Sequence, residues 1–375
     1  MNEDRATRYH RLKRQASVIS LAWGVLLLAG LLIAGTSADL RDISTAASAR
    51  IVPHGWVPGV TVLVYVALLV IVNEIASVPV GFYTGFVLER RYGLSNESLG
   101  AWALDQIKSF VLGLVLAWVA VGPLYGLIRF SPERWWLGAG VLFASLIVVM
   151  ARLAPVLLLP LFYSVKPLGQ ERLRSRLLAL ADRAGARVLG AYEWGLAEKT
   201  KKANAALTGI GGTRRILVSD TMLAAYSEEE IEVVLAHELA HHVHGDIWKG
   251  IALQSSLILA GFYVAARMLA ALAARFALDG PGDIAGLPLL LLSAGAVSLA
   301  TVPLAHAWSR ANERRADRFA LNLTNNPSAF VSAMKRLGAQ NLAEENPSKM
   351  VQWLFYSHPP LRDRIAVAQA FGRHA

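Results

Sequence analysis

Ser227-Glu228-Glu229-Glu230-Ile231-Glu232-Val233-Val234-Leu235-Ala236-His237-Glu238-Leu239-Ala240-His241 is followed, from Ile251, by an apolar run long enough to cross a bilayer. Ser227 and Glu230 have the spacing of a capping box, so a helix is predicted to start at Ser227 and to carry both histidines in its interior. Residues four apart on a helix share one face, about one turn from each other, so His237 and His241 can bind one Zn²⁺. Glu238 then sits beside the position left open for water and can take its proton. This pattern predicts zinc-dependent peptide hydrolysis at a membrane.

A zinc site needs a third protein ligand, and two residues compete for the place. His244 shares the helical face of His237 and His241, but ligands at i, i+4 and i+7 spread over about 10 Å of one straight helix. Three atoms each ~2 Å from one ion are hard to reconcile with that spread. The alternative lies in Ser309-Arg310-Ala311-Asn312-Glu313-Arg314-Arg315-Ala316-Asp317-Arg318-Phe319-Ala320. There Glu313 would complete a His₂Glu set, and Asp317, one turn on, could accept the outer N–H of a ligand histidine. Taken alone, Glu313 and Asp317 read as a solvated helix with charge pairs to Arg318. Only the histidine motif changes that reading.

Composition sets the frame. The 375 residues contain no cysteine, which excludes disulfides, thiolate catalysis and cysteine-ligated metal. Hydrophobic residues make up 55% and charged residues only 17%, with a mean hydropathy of +0.43, unusual for a soluble globular chain. The net charge is +10, but the basic residues flank apolar segments instead of forming one stripe. They therefore suit anionic lipid headgroups and topology signalling, and no nucleic-acid partner is expected.

Six stretches reach the ~20 apolar residues that a bilayer core requires: Ser17–Thr36, Val57–Phe82, Ser109–Ile128, Trp136–Tyr163, Ile251–Phe276 and Gly286–His306. The predicted architecture is mainly α, a polytopic transmembrane bundle of about six spans with a small cytoplasmic α/β zinc-peptidase unit. Residues 1–165 form an N-terminal membrane region of four spans, and 166–250 the segment with the zinc helix. Two further spans occupy 251–306, and 307–375 is the segment with the third ligand. Arg5, Arg8, Arg11, Lys13 and Arg14 precede the first span, whereas Leu278–Asp283 between the last two has no Lys or Arg. By the positive-inside rule the N-terminus, the 166–250 segment and the C-terminal segment face the cytoplasm. Thr36-Ser37-Ala38 also resembles a signal-peptide cleavage site, although the apolar run before it is long for that. Glu74, Arg152 and Arg267 fall inside apparent spans, which predicts a wet intramembrane cavity; the same residues would suit a transport pathway.

Between spans four and five, Leu168 to Ala184 reads as an amphipathic helix ending at Gly185. Ala203–Gly209 and Arg215–Ser219 read as two short strands around Gly211-Gly212. An exposed edge strand beside a zinc site would hold a substrate chain by backbone hydrogen bonds, and a purely structural hairpin reads equally well from these residues. In Tyr356-Ser357-His358-Pro359-Pro360-Leu361-Arg362-Asp363-Arg364, a histidine fixed by prolines and a nearby Arg364 could stabilise an oxyanion. The same stretch also reads as a surface turn leading into a terminal helix.

Taken together, these residues resemble the type I CAAX prenyl endopeptidases, intramembrane zinc metallopeptidases. The resemblance runs through Phe86-Val87-Leu88-Glu89-Arg90-Arg91-Tyr92-Gly93-Leu94-Ser95, Asp105-Gln106-Ile107-Lys108, Pro160-Leu161-Phe162 and Lys166-Pro167-Leu168. It continues through Asn204 to Asp220, the His237 motif, Ser309-Arg310 with Glu313 and Asp317, and His358-Pro359-Pro360. It implies one Zn²⁺ bound by His237, His241 and Glu313, with Glu238 as general base and acid and Asp317 behind a ligand. It also implies that His358 and Arg364 contact the substrate carbonyl, that Asn204 and Ala205 lie on the substrate-binding strand, and that the helical bundle encloses a chamber. The implied partners are a peptide or protein substrate carrying a prenylated CAAX terminus, and the lipid bilayer. The chain departs from the family in showing four spans before the zinc helix, where eukaryotic members have five, and in having His306 where the family usually carries Asn. Three rivals stand beside this reading: a heat-shock quality-control protease of membrane proteins, a transporter stabilised by structural zinc, and a catalytically silent scaffold. Transport that survives loss of Glu238 would mark the transporter.

Overall fold

A computed structural model describes residues 4–373, so the outermost ends of the first and last segments, 1–3 and 374–375, lie outside the described residues. Helix α1 (Arg5–Ile33) is followed by a shorter α2 (Thr36–Ile51). Helix α3 (Val57–Phe82) runs through a π turn into α4 (Leu88–Arg91). After α5 (Leu99–Phe130), α6 (Trp135–Leu153) passes through a second π turn, Ala154–Leu158, into α7 (Leu159–Phe162). Pro155 lies in that second turn, and a residue without an N–H cannot extend a regular α ladder. Strand β1 (Val165–Pro167), α8 (Glu171–Arg183), β2 (Ala191–Trp194), β3 (Ala205–Thr208) and β4 (Arg215–Ser219) build the α/β unit with α9 (Asp220–Ala225) and α10 (Glu228–Val243). The chain then returns through α11 (Asp246–Leu272) and α12 (Leu287–Thr324) to α13 (Pro327–Gln340), α14 (Lys349–Phe355) and α15 (Leu361–Phe371).

Among the described residues, six helical stretches are long and apolar enough to cross a membrane, and each overlaps one of the expected spans, three of which run one to four residues past the end of their helix. Two features exceed the expectation. Helix α2, with 16 residues, reaches about 24 Å, short of a ~30 Å hydrocarbon core, and carries Asp39, Arg41, Asp42 and Arg50. Helix α12 does not stop at the end of its span. It continues unbroken for 38 residues, so Glu313 rides on a rigid extension of a membrane helix.

The spans are packed unevenly. In α3, α5 and α6 every buried residue lies in the half remote from the α/β unit, for example Val62, Tyr65, Leu124, Tyr125, Trp135 and Ala139. Helix α12 has no buried residue between Ser293 and Asn312. Leu32, Phe262, Leu269, Leu287 and Leu290 complete this remote cluster. Arg41 closes it from outside, 2.6 Å from the buried Asp283. Toward the α/β unit the helices bury almost nothing against one another. Glu74 and Arg152 lie in that open half, Glu74 half-buried and Arg152 exposed, while Arg267 is exposed in the remote half.

The sheet has the order β1-β2-β4-β3, with β2 and β4 parallel and the outer pairs antiparallel. Its core joins Leu173, Leu177 and Leu180 of α8 to Ile216 and Val218 of β4, Leu235 and Leu239 of α10, and Phe330 and Met334 of α13. Helix α8 starts at Glu171, later than its amphipathic pattern, because Leu168 is drawn into an extended contact with the Ala191 carbonyl at 3.0 Å. Gly185 closes it in the left-handed region at φ 69°.

Charged residues fasten this unit to the bundle. Glu89 takes Lys202 at 2.8 Å and Lys13 at 3.2 Å, and accepts the hydroxyl of the buried Tyr9. Asp105 pairs with Lys199, and Arg14 reaches Glu344 at 2.6 Å. Helix α1 therefore lies against both the 166–250 and the 307–375 segments, and its His10 contacts the Leu342 carbonyl at 2.9 Å.

Candidate metal centre

Helix α10 is fixed before its histidines are reached. Ser227 Oγ accepts from the Glu230 N–H at 3.2 Å, and Glu230 Oε2 accepts from the Ser227 N–H at 2.8 Å. Such a cap contributes about 1 kcal/mol. The other Glu230 oxygen accepts from Ser332 at 2.5 Å and pairs with Arg336 at 3.3 Å, which ties the cap to α13. Leu235, Ala236, Leu239 and Ala240 are buried in the floor beneath the motif.

Helix α12 brings Glu313 to the two imidazoles. Glu313 Oε2 lies 3.2 Å from His237 Nε2, and Oε1 lies 3.3 Å from His241 Nε2. Four ligands at 2.0–2.1 Å from a tetrahedral ion stand about 3.3 Å apart, so these separations suit a shared cation. Glu313 Oε2 is buried and has no hydrogen-bond partner, as an atom meant for a metal would be. Burial pushes the His237 imidazole down, but the carboxylates of Asp317 and Glu313 outweigh it and hold the group at about 9. His241 is likewise raised against burial, by Glu313 and Asp246. The site thus favours positive charge. His237, His241 and Glu313 form a group able to hold a metal ion. His244 lies outside that group, its ring edge-on to Phe319 at 5.5 Å.

The outer nitrogens of both imidazoles meet carboxylates. His237 Nδ1 is 2.9 Å from Asp317 Oδ1, and His241 Nδ1 is 3.1 Å from Asp246 Oδ2. Asp246 went unnoticed in the sequence, where the only sign of it was an acid following a helix-ending Gly245. Glu238 lines a cleft of about 330 Å³, among the described residues no hydrogen bond holds its carboxylate, and burial raises its pKa.

The same cleft is lined by Asn204, Ala205, His10, His358 and Arg364. Among the described residues strand β3 is an edge, paired only to β4. Ser219 N–H donates to the Asn204 carbonyl at 2.9 Å, so in this antiparallel register Asn204, Ala206 and Thr208 turn their backbone groups toward β4. The backbone groups of Ala205 and Leu207 therefore point to the open side. One residue earlier in the same outward phase, Ala203 is capped by Asn341, whose side chain accepts from its N–H at 2.9 Å and donates to its carbonyl at 3.0 Å. No sequence signal marked Asn341.

His358 is exposed at the mouth, with Nε2 3.4 Å from Glu313 Oε1 and Nδ1 2.9 Å from the Ser357 hydroxyl. Arg364 is half-buried and grips Asp317 with both Nε (2.9 Å) and Nη2 (2.6 Å), and among the described residues its Nη1 makes no hydrogen bond.

Residues 167–371 match the model of peptidase family M48, and residues 2–164 match that of the CAAX prenyl protease N-terminal region, described as five membrane helices. Within that interval the described residues place four apolar spans and the short α2. The chain is 31% identical to the metalloprotease YhfN of Bacillus subtilis, over 97% of this chain and 84% of that protein. It is 27% identical to a CAAX prenyl protease 1 homolog of rice, Oryza sativa subsp. japonica, over 82% and 73%. The crystal structure of S. mikatae Ste24p superposes with a TM-score of 0.86 at 20% identity, covering 97% of this chain and 88% of that one, which shows the shared fold. The chain belongs to peptidase family M48, among the type I CAAX prenyl endopeptidases, and is a multi-pass membrane metalloendopeptidase.

Proposed function

We propose that the protein is a zinc endopeptidase that takes an extended peptide along the open edge of β3 and cleaves it at the cytoplasmic membrane face. The observation that carries this reading is the outward-facing backbone of Ala205 and Leu207, in the cleft that also holds Glu238 and the His237–His241–Glu313 group. A chain added there as a strand is bound through its main chain, so its carbonyls are presented in register. Zinc, when bound, supplies a Lewis acid that polarises the scissile carbonyl and acidifies the attacking water. Glu238 accepts the proton of that water and delivers it to the leaving amine. His358 and Arg364 line the same cleft and would donate to the carbonyl oxygen as it becomes negative. Asp317, clamped by Arg364, orients His237. Helix α1 begins against both catalytic segments, which supports placing the N-terminus, residues 166–250 and the C-terminal segment on one side of the membrane. The basic residues before the first span assign that side to the cytoplasm.

The substrate class we propose is a prenylated CAAX-type terminus. The names of the related proteases and the thinly packed half of the bundle beside the site both support it. Purified protein should cleave a farnesylated CAAX peptide and leave its unprenylated twin largely intact, with the Glu238→Gln variant inert toward both. Equal cleavage of the two peptides would replace this substrate class with a broader quality-control role. Ala205→Pro tests the edge directly. It removes an N–H that points away from β4, so the β3–β4 ladder is spared. Loss of one main-chain hydrogen bond to substrate should lower kcat/KM about 3–10-fold with zinc content unchanged. Unaltered kcat/KM would show that substrate does not pair with β3.

A further inference from the structure

The turn that leaves α10 supplies, after Asp317, a second carboxylate to the outer histidine nitrogens of the metal centre. Gly245, in the left-handed region at φ 67°, ends the helix, and Asp246, which follows it, is only 8% exposed. Its Oδ2 lies 3.1 Å from His241 Nδ1, while its Oδ1 accepts from Arg315 Nη2. Arg315 also donates to Asn312 Oδ1 at 3.2 Å. Asn312 and Arg315 stand on either side of Glu313 on α12. The arrangement repeats around the other histidine with different elements, where Asp317 meets His237 Nδ1 and Arg364 grips both Asp317 oxygens.

An imidazole that donates its Nδ1–H to a fixed carboxylate keeps its Nε2 lone pair turned inward and its ring from rotating. Asp246 does this for His241. Arg315 neutralises the buried Asp246 charge and fixes its plane, from the same helix that carries Glu313. We propose that Asp246 is the positioning residue of His241 and that Arg315 locks it, so that the second histidine and the glutamate are aligned by one clamp spanning α10, the Gly245 turn and α12. This rests on the reading of the centre as a zinc site. The rival role for Asp246 is purely structural, a negative charge in the first turn of α11.

Zinc affinity of the purified full chain, measured by competition with a chromogenic chelator, separates the two, alongside the absorption spectrum of the Co²⁺-substituted protein and the melting temperature of the metal-free form. Asp246→Ala should weaken zinc binding about 10–100-fold and alter the Co²⁺ spectrum. Asp246→Asn, which keeps an acceptor oxygen, should lose less. Arg315→Gln should weaken binding in the otherwise native chain and add nothing once Asp246 is alanine. In turnover, these changes should lower kcat at saturating zinc and leave KM in place. Native zinc affinity and an unchanged Co²⁺ spectrum in Asp246→Ala, with only the metal-free melting temperature lowered, would overturn the proposal. If Asp246→Ala does not fold, Asp246→Asn and Arg315→Gln make the same comparison. Failure of the native chain itself to bind Zn²⁺ or Co²⁺ would overturn the zinc reading and the clamp together.

Discussion

Glu238→Gln is expected to keep its zinc and lose turnover by about 10²–10⁴-fold, the range that a positioned general base contributes. Glutamine preserves the shape of the side chain and cannot accept the proton of the attacking water. Glu238 is suited to that transfer because it lies next to His237 in the cleft and, among the described residues, no hydrogen bond commits its oxygens elsewhere. Burial raises its pKa, which makes it a stronger base than a solvated carboxylate. It carries no part of the floor of α10, where Leu235 and Leu239 are fully buried, so the substitution should leave folding intact. Steady-state cleavage together with zinc content by atomic emission decides the matter. Turnover near the native rate with full zinc would remove Glu238 from the mechanism and return the protein to the transporter or scaffold reading.

Loss of Glu313 should act earlier, at metal binding. Outer carboxylates typically contribute 10–100-fold to affinity, so removal of a direct ligand in Glu313→Ala should weaken zinc by more than about 100-fold. Activity should vanish at ordinary zinc concentrations. The two contacts at 3.2 and 3.3 Å to the histidine nitrogens disappear together, and no other acidic residue lies in the group. Glu313→Gln, which keeps the volume and one neutral oxygen, should recover part of the affinity. Zinc retained after dialysis against a chelator gives the readout. Full occupancy in Glu313→Ala would remove Glu313 from the ligand set and reopen the choice of third ligand.

Much of this centre could be read from local spacing because its main parts obey local rules. The capping box at Ser227 and Glu230, the helical period of His237 and His241, and the Gly185 helix end are all decided within a few residues of chain. The six spans were equally visible, since about twenty consecutive apolar residues suffice to define each one. Strands β1 and β2 were not. They have three and four residues and no alternating pattern, and they exist only because a sheet is there to receive them. Helix α2 was missed for a related reason, as its sequence is too polar for a span and it is stabilised by packing against α3 and by the Arg41–Asp283 pair.

By itself, then, the sequence determined which segments meet a membrane, where the helix carrying His237 and His241 begins, and which residue types face one side of it, because hydrophobicity and helical period act over short distances. Tertiary structure alone decided that α12 continues past its span to hold Glu313 over α10, and that β3 is the open edge. It also decided that Asn341 caps Ala203, that Arg364 reaches Asp317, and that Asp246 meets His241. Those contacts join residues from separate elements. Their geometry depends on how rigid helices cross and how strands pair, which no local pattern encodes.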